Sequence, residues 1–234
     1  MDESNSLSEE LVQANRILAN EGIIEGFGHV SLRHLDGDKL LISKSISPKF
    51  VTEDDIMIMD FDGSVVKNRE AQPYMESVIH RAIMRHRDDV TAVVHHHAPQ
   101  IMPFVASDLD FKPVFHLAAL FHGGVPQFSD YGPEYGYLIA TEAEGDRMAN
   151  ALGNSRGQLL ENHGANIVGA SLKQAVLATV YFVMNARYQI QAEYIGEPTY
   201  YDGPAESLDA MVNDVILNPI AVDRMWSYLV NRLP

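Results

Sequence analysis

Three consecutive histidines, His95-His96-His97, close an apolar run that begins at Val90. Side chains on an extended strand alternate faces, so His95 and His97 point the same way and His96 points away. Two imidazoles on one face can share one ion. Neutral imidazole is the commonest metal ligand, and three histidines that leave coordination positions open make a catalytic arrangement. His163, just before Gly164 and between two short strand-like runs, is a third candidate, because a turn can project its side chain into a cleft. Glu76, shortly after Pro73, is the candidate carboxylate. Each has a plainer reading when taken singly: a polar cluster at a strand end, an ordinary turn histidine, and a glutamate favoured near a helix N-terminus by the macrodipole.

The elements that must position these residues can be read from periodicity. Ser6-Leu7-Ser8-Glu9 has the capping-box pattern, and Leu7, Leu11, Ala14 and Leu18 follow helical spacing toward Gly22. A glycine-rich turn, Gly26-Phe27-Gly28, leads into strand-like His29 to Arg33, and Asp36-Gly37 turns the chain back through Leu40-Leu41-Ile42. A second hairpin is expected around Asp62-Gly63. A helix follows Pro73 to about Arg87 and places Glu76 in its first turn, and Val90 to His97 is the strand bearing the histidines. A second helix follows Pro99. Ala143 to Leu152 reads as helix, and Gln158–Asn162 and Ala165–Val168 as strands around His163. Ser171 to Gln174 forms another capping box, which opens a long helix to about Tyr194. Hairpins outnumber parallel crossovers, which predicts a mixed, largely antiparallel sheet with helices on both faces.

Composition bounds the chemistry. The chain has 234 residues, 46% of them apolar, and no cysteine, so any metal site must use His, Asp or Glu. The lack of cysteine also fits a cytoplasmic setting. A formal charge of -15 argues against nucleic acid, which is bound by neutralising phosphates. It does not argue against a small anionic substrate, because a bound metal inverts the local field. No apolar run reaches the roughly 20 residues a membrane span needs. The acidic, polar start gives no expectation of a signal peptide.

Together these segments resemble the class II aldolase/adducin family. The matching runs are Gly26 to Arg33, Ile42-Ser43-Lys44-Ser45, Glu76 on its helix, Ala92 to Ala98 and Glu161-Asn162-His163-Gly164-Ala165. The resemblance implies a single class II aldolase-like α/β/α domain, here residues 1–234, and a homotetramer with active sites at subunit interfaces. It implies that His95, His97 and His163 hold one divalent ion per subunit and that Glu76 is the acid/base residue. Manganese fits the family's decarboxylases and zinc its aldolases, and imidazole accepts either.

Departures from the sugar-phosphate aldolases are informative. His29 stands where those enzymes carry Asn, and Tyr74-Met75 where they carry small hydroxyl residues; both places help hold the phosphate there. Phe27 to Ser31, Phe115 to Ala119 and Asn185-Ala186-Arg187 resemble the family's decarboxylase branch. That branch acts on hydroxylated aromatic or pyridine dicarboxylates, among them 3-hydroxy-2-methylpyridine-4,5-dicarboxylate of vitamin B6 breakdown. Breaking a carbon–carbon bond leaves electrons that need a sink. A metal beside an oxygen supplies one by stabilising an enolate-like intermediate, and the resemblance implies that Glu76, with a pKa that burial can raise, protonates the carbon. His29, Ser31 and Arg33 are candidate substrate contacts, as is Tyr131, which lies near where the aldolases place an interface tyrosine. His116, on an apolar stretch, reads as a core residue or a support for the site. Two other functions remain open: an aldolase of a small hydroxy-carbonyl compound, and a non-catalytic adducin-like interaction module.

Overall fold

The computed structural model describes residues 3–234. Helix α1 (Glu3–Asn20) is followed by two hairpins, β1 (His29–Arg33) with β2 (Lys39–Ser43) and β3 (Ile56–Asp60) with β4 (Val65–Lys67). Helix α2 (Ser77–His86) leads to β5 (Ala92–His96). The short α3 (Met102–Val105) and β6 (Gln127–Phe128) precede α4 (Glu142–Leu152). A third hairpin, β7 (Gly157–Leu160) with β8 (Gly164–Gly169), precedes α5 (Leu172–Ile195). The chain closes with α6 (Ala205–Ala210), a π-helical stretch over Met211–Ile216 and α7 (Pro219–Val230).

The eight strands form one sheet in the order β4-β3-β2-β1-β5-β8-β7-β6. Every pairing is antiparallel except β6 with β7. Strand alternation divides the core in two. Val30, Leu32, Ala92, Val94, Ala165 and Ile167 face α1, α5 and α7, whereas Leu40, Ile42, Val93 and Val168 face α2 and α4. The result is the α/β/α layering expected. No helix among the described residues is long and apolar enough to cross a membrane.

Two local expectations change, and one cap went unread. Helix α1 spans Glu3–Asn20 and so starts ahead of the Ser6 cap. Helix α2 starts at Ser77, so Glu76 is its N-cap rather than a first-turn residue, and its side chain does not cap. The C-terminal helices carry a readable signal, Asn218 before Pro219: the Asn218 side chain accepts from the Ile220 amide at 3.0 Å.

Candidate metal and active site

One polar row crosses the α2-facing side of the sheet. His29 of β1 stands opposite His95 of β5, His95 opposite Asn166 of β8, and Asn166 opposite Gln158 of β7. Hydrogen bonds fix its polarity. Gln158 donates to the Met148 carbonyl at 2.9 Å, and Asn166 Nδ2 donates to Gln158 Oε1 at 3.3 Å. Asn166 Oδ1 is thereby left to accept from His95 Nδ1, at 2.8 Å. The His95 proton sits on Nδ1, so the Nε2 lone pair faces outward, the form a metal ligand needs.

Around that lone pair the structure gathers the other candidates. His97 Nε2 lies 3.0 Å from His95 Nε2, and the His97 ring stacks on His163 with centroids 5.1 Å apart. Glu76 Oε2 lies 3.8 Å from His95 Nε2, and Oε1 lies 3.4 Å from His163 Nε2. One ligand atom from each of the four falls within 4.8 Å of the rest. Both nitrogens of His163 are buried; Nδ1 has no hydrogen-bond partner, and Nε2 has only the 3.4 Å approach of Glu76. A buried orphan acceptor is costly unless something pairs it. Burial, and then the neighbouring imidazoles, hold His95 and His97 below the usual histidine range, so both are neutral near pH 7. The unpaired Nδ1 of His163, the free Nε2 lone pair of His95 and an adjacent carboxylate fit a divalent cation. His96 faces the opposite side, edge-on to Phe182.

Two glycines allow this convergence. A Cβ at Gly164 would lie 2.5 Å from the His96 carbonyl oxygen and 2.8 Å from His97 Cδ2. Only glycine lets the His163 turn approach the end of β5 so closely. Gly28, at φ +102°, is in a conformation that L side chains rarely adopt, and its Cβ would meet Ile24 and the His95 carbonyl. These contacts explain why glycine flanks a histidine at both places.

The cluster opens into a cleft of about 380 Å³ bordered by Gly28, His29, Ser45, Ser47, Tyr74, Glu76 and His97. That volume suits a small molecule. The rings of His29 and Tyr74 form one wall, 4.6 Å apart. The Tyr74 hydroxyl donates to the Ile46 carbonyl at 2.7 Å and lies 3.0 Å from Ser43 Oγ, which ties the wall to the segment after β2.

Burial is the largest influence on Glu76 and pushes its pKa up, but the His163 side chain, His29 and the Ile139 amide outweigh it. The net shift is downward, opposite to the rise expected from burial alone. The carboxylate is therefore ionised near neutral pH. Ile139 belongs to the loop between β6 and α4, and Glu144 of α4 holds that loop: it accepts from the amides of Gly132 (2.8 Å), Ala140 (3.1 Å) and Thr141 (2.9 Å).

The remaining candidates separate. His29 lines the cleft. Ser31, one row deeper, is fully buried and bonded to His80 of α2, so it does not reach the cleft. Arg33 is a correction. It lies four residues along β1 from His29, about 13 Å away, and its guanidinium donates to the carbonyls of Gly37, Met84, Arg87 and Val90. Its donors are committed to structure and not to a carboxylate. The Tyr131 hydroxyl donates to the Glu161 carbonyl at 3.0 Å, and its ring packs on Phe128. His116 is also a correction: it is exposed on a 3-10 turn, because that turn buries Ala118 to Phe121 instead. His80, Asn166, Gln158 and Glu144 are supports that the sequence reading missed. His80 had one available signal, its position one helical turn after Glu76.

Comparison with known proteins identifies the family. The model of the Class II Aldolase and Adducin N-terminal domain matches residues 9–190, and the chain belongs to this family. A 3,4-dihydroxyphthalate decarboxylase of Arthrobacter keyseri is 30% identical over 74% of this chain and 73% of its own. The decarboxylase tropJ of Talaromyces stipitatus is 25% identical over 74% and 71%. An aldolase II superfamily protein from Pseudomonas syringae superposes with a TM-score of 0.83 at 23% identity, covering 100% of this chain and 94% of that one. Aldolases of sugar phosphates are also among the relatives. Decarboxylases and aldolases both break carbon–carbon bonds, and the chain is a carbon–carbon lyase.

Proposed function

We propose that the chain is a metal-dependent decarboxylase of a hydroxylated aromatic or pyridine dicarboxylate, with 3-hydroxy-2-methylpyridine-4,5-dicarboxylate and 3,4-dihydroxyphthalate as the leading candidates. The observation that carries this reading is the convergence of Glu76, His95, His97 and His163 beside a cleft that Glu76 and His97 border and the rings of His29 and Tyr74 wall. A sugar phosphate needs no such wall. The decarboxylases among the relatives point the same way.

His95, His97 and His163 would hold the ion, manganese or zinc, and Glu76 lies beside them. The ion would supply a Lewis acid that draws off the electron density released as the bond breaks. Glu76, ionised when substrate arrives, takes the proton of the ring hydroxyl. Carbon dioxide then departs and leaves its electron pair on the ring carbon. Glu76 returns the proton to that carbon, so charge and protons balance and the carboxylate is restored.

The same acid/base group and ligands would also serve an aldolase, and the aldolases among the relatives favour that as the second reading. A purely structural, adducin-like role accounts less well for a complete His and Glu set with an unpaired His163 Nδ1. The test is to load the protein with manganese or zinc and offer a panel of hydroxy-aromatic and hydroxypyridine dicarboxylates. Carbon dioxide release supports the decarboxylase. Pyruvate or aldehyde release from hydroxy-carbonyl substrates, without carbon dioxide, overturns it in favour of the aldolase. We further propose a cytoplasmic homotetramer with clefts at subunit interfaces; an active monomer in light scattering would contradict that.

A further inference from the structure

Behind the cleft wall, three buried side chains form a chain of hydrogen bonds that the reaction above does not use. Ser31 Oγ lies 2.6 Å from His80 Nδ1, and His80 Nε2 lies 2.6 Å from His29 Nδ1. Ser31 and His80 are fully buried and His29 is nearly so. An imidazole that shares both nitrogens can be donor or acceptor at each, so the direction of the chain must come from its end.

That end is the Ser31 hydroxyl. Its side chain has one partner among the described residues, His80 Nδ1. If His80 carried its proton on Nδ1, the Ser31 O–H would point into a dry interior with no acceptor, an arrangement native structures avoid. The hydroxyl therefore donates to Nδ1. Neutral His80 then carries its proton on Nε2 and donates to His29 Nδ1. His29 in turn must carry its own proton on Nε2. That atom has no hydrogen-bond partner among the described residues and is not sealed from solvent, and its ring borders the cleft.

We propose that Ser31, acting through His80, locks His29 as a neutral Nε2–H donor aimed into the cleft, where it binds a substrate carboxylate or carbonyl oxygen rather than the metal. This rests on the reading of the cleft as the substrate site and adds what that site recognises. The His29 ring stacks on His95 with centroids 5.0 Å apart and would otherwise pass for a further ligand. A proton on Nε2 removes the lone pair a ligand needs. Ser31 and His80 are positioning residues: they never touch substrate, but they set which His29 nitrogen carries the proton.

The direct test is nitrogen NMR of the zinc-loaded protein labelled with 15N-histidine, with His29→Gln used to assign the His29 signals. A protonated Nε2 and bare Nδ1 on His29 are expected without any ligand. A proton on Nδ1, or zinc at Nε2, overturns the proposal. Ser31→Ala should turn the single His29 tautomer into a mixture, and Ser31→Thr should restore it; a single unchanged tautomer in Ser31→Ala would show that Ser31 sets nothing. Binding separates this proposal from the reading it rests on. With phthalate as the probe, His29→Ala should weaken binding about ten- to a hundredfold, His29→Gln should recover part of it, and bound zinc should be unchanged. Equal phthalate binding by wild type and His29→Ala overturns the donor role. Failure of wild type to bind phthalate, with the tautomer as stated, counts against the dicarboxylate substrate and leaves the locked donor standing.

Discussion

His95 and Asn166 face each other across β5 and β8, and the imidazole Nδ1–H donates to the amide oxygen at 2.8 Å. This bond selects the tautomer that presents the His95 Nε2 lone pair to the site. Asn166→Leu would remove the acceptor while keeping a similar volume. Metal affinity should fall about ten- to a hundredfold, the usual consequence of removing a group that orients a ligand histidine. Competition against a chelator of known affinity measures it, and unchanged affinity would mean that Asn166 only fills space.

The ligand assignment makes a sharper contrast. His95→Ala, His97→Ala and His163→Ala should each lose most bound divalent ion, whereas His96→Ala should keep it, because His96 lies on the other face against Phe182. Elemental analysis of the four purified variants decides this. Metal loss in His96→Ala equal to the others, or full occupancy in His163→Ala, would refute the set.

Glu144 ties pH to stability. Burial raises its pKa, but the Ala140 and Thr141 amides, the Thr141 hydroxyl and the Gly132 amide outweigh that, and the net shift is downward. A carboxylate depressed in the folded state contributes stability above its unfolded pKa, near 4.3, and loses it as pH falls through the lower folded value. Wild type should therefore lose melting temperature as pH drops below about 4.3, and Glu144→Gln should lose less over that window. At pH 7 the variant should be less stable by about 1–3 kcal/mol, since the amide nitrogen would face backbone donors. It should also turn over more slowly, because the loop it pins carries the Ile139 amide that bonds Glu76. Parallel pH–melting curves for the two proteins check the sign.

What was legible in the sequence follows the range of the physics involved. Strand alternation is local, so His95 and His97 on one face and His96 on the other can be read from three adjacent letters. The first two hairpins announced themselves through Asp-Gly turns, and the ends of α4 and α5 through periodicity and the Ser171 cap, whose hydroxyl accepts from the Gln174 amide. Register between strands is not local, and a slip of one residue reverses every face. The row from His29 through His95 and Asn166 to Gln158 therefore could not be seen, although each residue is plainly a polar side chain on a strand. Arg33 shares a strand and a face with His29, but strand length carries it beyond the site, where backbone carbonyls take up its guanidinium. The resemblance to a known family identified Glu76, yet its ionisation depended on His163 and Ile139, which only the fold brings to it.

Glu76 is where a catalytic and a structural role predict different measurements. Glu76→Gln keeps the shape and one acceptor oxygen, so the Ile139 amide, now 3.3 Å from Oε1, retains a partner. The side chain makes no cap bond to α2, so its loss should not fray that helix. Folding should survive. Metal content should largely survive as well, because three imidazoles remain. The variant lacks a group that can take up and return a proton, so kcat should fall by roughly two to four orders of magnitude, the scale of losing a general acid or base. KM should change little, because that proton moves in the transition state and not on binding. If the carboxylate served only as a charge at the start of α2, its loss would cost at most about 1 kcal/mol of stability and leave turnover intact. Measuring kcat, bound metal and melting temperature on this one variant separates the two roles. Near-normal turnover with a lowered melting temperature would reject Glu76 as the proton carrier, and loss of metal alongside turnover would make it a ligand instead.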